Sequence, residues 1–154
     1  MATQTSLLLA LWEEAHTRLE DKLHLITEED LQKKLSPSPN SLGFLLRHIA
    51  EVELLFAKNV FGAKDTKIIA KTVIAKHDTG EWVDLNALKD ILKRSKSVLK
   101  AIIEKQVDAD WETVIETTEF GAKTKAQALG RITSHTAYHA GQIGIILKYG
   151  EAKN

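Results

Sequence analysis

His135 and His139 lie four residues apart in a segment of strong helical pattern, so both project from one face of that helix, one turn apart. Ala128, Ile132 and Ile146 share the face, which marks it as interior. His48 stands likewise in the middle of an apolar stripe formed by Phe44, Leu45, Val52 and Leu55. Where two such stripes meet, three imidazoles converge. Burying three imidazoles together is unfavourable unless their nitrogens find partners, and a charged cluster would be worse. A divalent transition metal resolves the problem. Neutral imidazole nitrogens bind zinc, nickel, copper or iron, and His at i and i+4 is a recurrent chelating pair. Three protein ligands leave at least one coordination position open, the pattern of a catalytic site. The alternative reading is a buried hydrogen-bonded cluster with Glu51, Gln142 or Tyr138 as partners.

Neighbouring residues narrow the chemistry. A zincin protease needs Glu directly after the first histidine as general base. Here that position is Thr136, in His135-Thr136-Ala137-Tyr138-His139, so that class is excluded. The chain has no cysteine, which removes a disulfide framework, thiolate catalysis and cysteine zinc sites, and permits a cytoplasmic location. The other three histidines read as surface or capping residues: His16 beside Trp12, His24 near a helix end, and His77 in a linker. His77 joins the site only if that linker folds over it.

The elements that must position the histidines are helices. Two prolines and eight glycines punctuate the 154 residues sparsely. Periodicity predicts a first helix over residues 6–25, with Leu8, Leu11, Trp12, Ala15, Leu19 and Leu23 as its stripe. A short turn follows at residues 27–30, and the Ser36-Pro37-Ser38-Pro39-Asn40 cluster breaks the chain. The second helix spans residues 40–61. The third spans residues 84–107, capped by Asp84, with a seam of Leu85, Leu88, Leu92, Ser95, Leu99 and Ile102. The fourth spans residues 124–149 and carries Ala128, Ile132, His135, His139, Gln142 and Ile146. Four helices, each with one apolar stripe, specify an all-α four-helix bundle. The linker at residues 62–83 can run the length of such a bundle, so helices two and three are expected to be parallel, joined by one long crossover. Between helices three and four, residues 111–118 are rich in Trp, Thr, Val and Ile ahead of Phe120-Gly121, and fit either a small hairpin or an irregular loop.

Composition bounds the partners. Leu, Ile, Val and Phe make up about 29% of the chain, well clear of the range of disordered chains. The length suits one domain, residues 1–154. Twenty-one basic residues balance twenty-one acidic ones, which argues against nucleic acid as the main partner. Lys64, Lys67, Lys71 and Lys76 read as a solvated segment. No apolar run approaches the ~18 residues of a membrane span, and the stretch at residues 6–12 runs into Glu13 and Glu14 as a helix, not a signal peptide. These features predict a soluble intracellular protein.

Two segments carry a family resemblance. Ser41-Leu42-Gly43-Phe44-Leu45-Leu46-Arg47-His48-Ile49-Ala50-Glu51-Val52-Glu53 is similar to the first histidine motif of the DinB/YfiT-like superfamily, and His135-x-x-x-His139-Ala140-Gly141-Gln142-Ile143 resembles its second. Their order, interval and the chain length fit, so the resemblance covers nearly the whole chain. It implies an up-down-down-up four-helix bundle, a metal on His48, His135 and His139, zinc or nickel as that metal, and a homodimer. Characterised relatives include S-transferases and isomerases that use low-molecular-weight thiols. The resemblance departs at Ala140, where many relatives carry Arg, and the substrate class follows with less force than the metal site.

Together these readings predict a metal-dependent enzyme acting on a small molecule, foremost a thiol S-transferase. A hydrolase using metal-bound water, an isomerase, or a non-enzymatic metal- or ligand-binding bundle are the alternatives. Among neighbouring side chains, Glu51 is placed to accept an imidazole N–H and Gln142 to orient a ligand or a histidine.

Overall fold

In the computed structural model, which describes residues 1–152, the helix that carries His48 is wrapped by the others. This is α2 (Leu42–Asn59). Its first turn is closed by the Ser41 hydroxyl, which accepts from the Phe44 N–H at 3.1 Å. Nearly every turn of α2 is buried, because α4 (Leu85–Glu104) and α5 (Lys125–Tyr149) pack on it and the crossover covers a further side. The helix α1 (Gln4–Leu23) packs chiefly on α5. Gly43 permits one close crossing: a Cβ there would stand 2.0 Å from the Trp82 carbonyl oxygen. Glycine thus lets the segment entering α4 lie directly across the start of α2.

The caps are where local chemistry puts them. Asp84 accepts from the Ala87 N–H at 2.9 Å, and Thr124 with Gln127 forms a reciprocal capping box on α5. A 3-10 turn at Glu28–Gln32 is closed by Thr27 and Asp30, and a second lies at Asp108–Glu112. The crossover between α2 and α4 contains a one-turn helix, α3 (Lys71–Ala75).

The molecule is mostly helical but not all-α. Strands β1 (Val114–Thr117) and β2 (Gly121–Thr124) form an antiparallel hairpin, so the hairpin alternative for this linker is the one adopted. Gly121, at φ 71, supplies the left-handed residue that closes its three-residue loop. Phe120 from the loop meets Phe56 with ring centroids 5.7 Å apart, which ties the hairpin to the core. Among the described residues no helix is long and apolar enough to cross a membrane.

The core is divided. One apolar cluster gathers Leu19, Leu46, Ile49, Leu92, Ala140 and Ile143. A second gathers Trp12, Phe56, Leu99, Trp111 and Ile132. Between them runs a polar layer with one residue from each long helix: His16, Glu53, Ser95 and Thr136. Glu53 has no exposed surface and is the hub. It takes His16 Nε2 at 3.0 Å, the Ser95 hydroxyl at 2.6 Å and the Thr136 hydroxyl at 2.9 Å. His16 reaches Glu20 at 3.2 Å, and Glu20 pairs with Lys96 of α4.

Two expectations for α1 are corrected here. His16 is not a surface residue: it is 4% exposed and turns inward, because Glu53 and Glu20 supply acceptors for both ring nitrogens. Leu11 is not part of the buried stripe and is 67% exposed, since the α1 face that packs is centred on Trp12, His16 and Leu19.

The polar layer makes stability depend on pH. Burial alone would lower the His16 pKa. The hydrogen bonds and negative charges of Glu53 and Glu20 outweigh it and hold the group above its ordinary 6.5. A raised folded-state pKa means that this stabilisation is complete below about 6.5 and fades as pH rises through the folded value. Denaturant unfolding of the native protein and His16→Gln is therefore expected to give a stability difference that is largest in mild acid and shrinks toward alkaline pH. A difference that stays constant across that range would refute the charged His16–Glu53 pair.

Candidate metal centre

Each histidine of the expected site comes from a long helix, but none is fully buried. His48, His135 and His139 are half-buried at the seam between α2 and α5. The face of α5 that packs into the core is centred on Ile132, Thr136, Ala140 and Ile143, and the two α5 histidines lie on its edge. One side of the cluster therefore opens toward solvent. His24 caps the C-terminus of α1, and His77 is exposed with Nδ1 2.7 Å from its own segment's Ala75 carbonyl. Neither approaches the cluster.

The three rings face one another. One ligating nitrogen from each lies within 4.8 Å of the others. His48 Nε2 and His135 Nε2 are 3.2 Å apart. Two nitrogens on a tetrahedral zinc at ordinary Zn–N length would be separated by about 3.3 Å, so this pair already has the spacing of two ligands. The ring centroids of His135 and His139 are 4.5 Å apart, nearly perpendicular, and the His48 ring stacks on Phe44 at 5.8 Å with an interplanar angle of 5°.

Outer partners hold two of the rings. His139 Nδ1 is 2.6 Å from Gln142 Oε1, which leaves Nε2 to face the cluster. Gln142 in turn donates to the Tyr138 hydroxyl at 3.3 Å. His48 Nδ1 is 3.1 Å from the Thr72 hydroxyl of α3. Glu51 does not touch His48 itself. Its carboxylate accepts from the Thr72 hydroxyl, from the Lys71 and Thr72 N–H groups at 3.0 and 2.8 Å, and from Arg47 Nε at 2.6 Å. Arg47 also lies over the Trp82 ring at 5.1 Å. The crossover thus reaches the site through Thr72, not through His77. Nothing in the sequence around Thr72 signals this role; its only hint is that the linker is too long to be idle.

Electrostatics keep the cluster neutral. Burial, with the neighbouring His139, pushes His48 down to about 4. Burial pushes His135 down to about 3, helped by the repulsion that protonated His139 or His48 would exert and by the Arg131 charge. Burial lowers His139 as well, against the opposing hydrogen bond of Gln142. All three are therefore neutral at pH 7, with lone pairs to offer. His135 Nδ1 is buried without a partner. Without a cation, the His48–His135 contact either opposes two lone pairs or uses up one ring's only proton. A divalent ion shared by the two Nε2 atoms removes that conflict, so the donor set fits a transition metal.

A concavity of about 700 Å³, lined by Gly62, Thr66, Arg94, Ile102 and Lys105, contains none of these residues. A smaller apolar cleft of about 90 Å³, walled by Leu35, Leu45, Ile145 and Ile146, shares Gln142 with the histidine cluster. Ala140 is 1% exposed and packs in the core, so the last histidine is followed by no cationic side chain.

Comparison with known proteins bears on the family and the fold. The model of the DinB superfamily matches residues 11–143. The crystal structure of a mycothiol-dependent maleylpyruvate isomerase superposes with a TM-score of 0.68 at 16% identity, covering 94% of this chain and 64% of that one. A mutant of the mycothiol-dependent maleylpyruvate isomerase gives a TM-score of 0.63 at 17% identity with the same coverage. The chain therefore spans 64% of the isomerase's length, and at this identity the likeness is one of fold. No curated protein matches the sequence significantly.

Proposed function

This chain belongs to the DinB superfamily, and on that footing we propose that it is a metal-dependent enzyme of small molecules that works with a thiol cosubstrate. The metal, zinc or nickel, is held by His48, His135 and His139. The observation that carries the reading is the trio of imidazoles at ligand spacing on an open seam. The helix course included in the proposal is up-down-down-up, with the chain as one domain. It is supported by contacts at the helix ends: the Gln106 amide just past α4 donates to the Phe61 carbonyl just past α2, at 3.1 Å, while Trp82 before α4 lies on Gly43 at the start of α2. A homodimer belongs to the same reading, supported by the exposed Tyr138, Ile145 and Tyr149 along α5.

The chain's own residues bind and orient. Burial lowers the pKa of each of the three rings and favours the unprotonated, ligating form, Gln142 holds the His139 ring, and Phe44 restrains the plane of His48. A bound divalent ion would lower the pKa of a coordinated thiol, making thiolate available at neutral pH. The sequence holds no cysteine, so that sulfur must arrive with a cosubstrate. The cleft beside Gln142 would receive the apolar part of a small substrate. S-transfer is the leading reaction class. Isomerisation is the second, favoured by the fold shared with a thiol-dependent isomerase.

Elemental analysis followed by cobalt substitution tests this. One transition ion per chain is expected, with a visible spectrum that changes when a low-molecular-weight thiol is added. Absence of bound metal would remove the proposal's foundation. A cobalt spectrum that no thiol or small anion perturbs would instead mark the site as structural.

A further inference from the structure

The hydroxyl of Thr72 is a relay point with no freedom in its hydrogen bonding. It is 2% exposed and lies between the Glu51 carboxylate and His48 Nδ1. A carboxylate only accepts, so the single Thr72 hydroxyl proton is committed to Glu51. Only lone pairs remain toward His48. The 3.1 Å contact can then be a hydrogen bond only if His48 Nδ1 carries the proton and donates it. The proton of a neutral imidazole is thereby consumed at Nδ1, and Nε2, the atom that faces His135, is left as a bare lone pair.

The relay is anchored from both sides. Glu51 is itself locked by Arg47 and by the first two N–H groups of α3, which it caps. These contacts fix Thr72 relative to α2. From this arrangement we infer that Thr72 is a positioning residue: it sets the tautomer and ring orientation of His48, so that the crossover segment, not only the two helices, prepares the metal centre. The purpose of the relay rests on the metal reading above; its geometry does not.

The chemistry separates Thr72 from ordinary packing. Threonine and serine can each donate to Glu51 and accept from His48, whereas valine matches threonine in shape and does neither. In metal-free protein, imidazole ¹⁵N NMR of His48 should show the Nδ1-protonated tautomer in the native chain and in Thr72→Ser, and should lose that preference in Thr72→Val. Cobalt or zinc affinity should fall about 10–100-fold in Thr72→Val, the usual effect of removing an outer partner of a ligating histidine, and recover in Thr72→Ser. Circular dichroism and thermal melting of each variant report whether the fold survives, and Thr72→Ser supplies the readout if Thr72→Val unfolds: loss of the Nδ1-protonated form in the serine variant overturns the inference. An unchanged His48 tautomer in folded Thr72→Val, or unchanged metal affinity there, also overturns it. If the native protein binds no metal at all, the metal reading fails alone, and the tautomer comparison still decides the role of Thr72.

Discussion

Replacement of His135 by alanine is expected to abolish transition-metal binding and leave the helical fold intact. His135 supplies one of three nitrogens, and its Nε2 is the one paired at 3.2 Å with His48. Removing it would leave only two of the proposed ligands, on different helices. The loss should exceed the roughly 10–100-fold that outer-partner changes cost. The fold has little to lose at this position. His135 is half-buried on the edge of the packed face of α5, its Nδ1 has no partner, and alanine is the better helix former. Metal analysis after loading with zinc or nickel, beside circular dichroism, reads both halves of the result. The native protein should also melt at higher temperature with metal than without, by mass action, and His135→Ala should not. Unchanged metal content in the variant would sink the proposed centre.

The largest effect on stability is expected at Glu53. Changing it to alanine removes an acceptor shared by three helices, strands His16 Nε2 and the Thr136 hydroxyl between two apolar clusters, and leaves the Ser95 hydroxyl only the Leu92 carbonyl of its own helix. Breaking one partner out of a buried charged network costs about 3–5 kcal/mol, because the remaining groups stay desolvated and unpaired. For a chain of this size that is a fall in melting temperature on the order of 10 °C. The neighbouring Glu20 is the control. It reaches the same histidine but is a third exposed, and Glu20→Ala should cost under about 1 kcal/mol. Melting curves of both variants at neutral pH decide the matter. Equal small losses would mean that the layer fills space without holding the helices together.

Both sites are built from helix faces, yet they were not equally visible. The clustering of the three histidines could be read because each lies on or beside an apolar stripe whose 3.6-residue period is written in its own segment, and His135 and His139 belong to one helix. The same logic misjudged His16. Its burial depends on Glu53, 37 positions away, and no local pattern in α1 announces that partner. Ser95 likewise lay on the predicted seam as a polar residue without a reason until Glu53 supplied one. Helical spacing alone offers Glu51 as a direct partner of His48. The structure inserts Thr72 between them, because α3 docks its N-terminus on that carboxylate.

The absence of cysteine, the four long amphipathic helices, their capping residues and the pairing of His135 with His139 are properties of single segments, and so they followed from the sequence. The half-open depth of the histidine cluster, the polar layer through the core, the hairpin and the reach of the crossover to His48 are relations between segments. Periodicity states which face of a helix avoids water. It does not state which partner covers that face, how deeply, or whether a linker will place a hydroxyl there. Those choices are made by packing and by the need of each buried polar group for a partner, and only the folded chain satisfies them together.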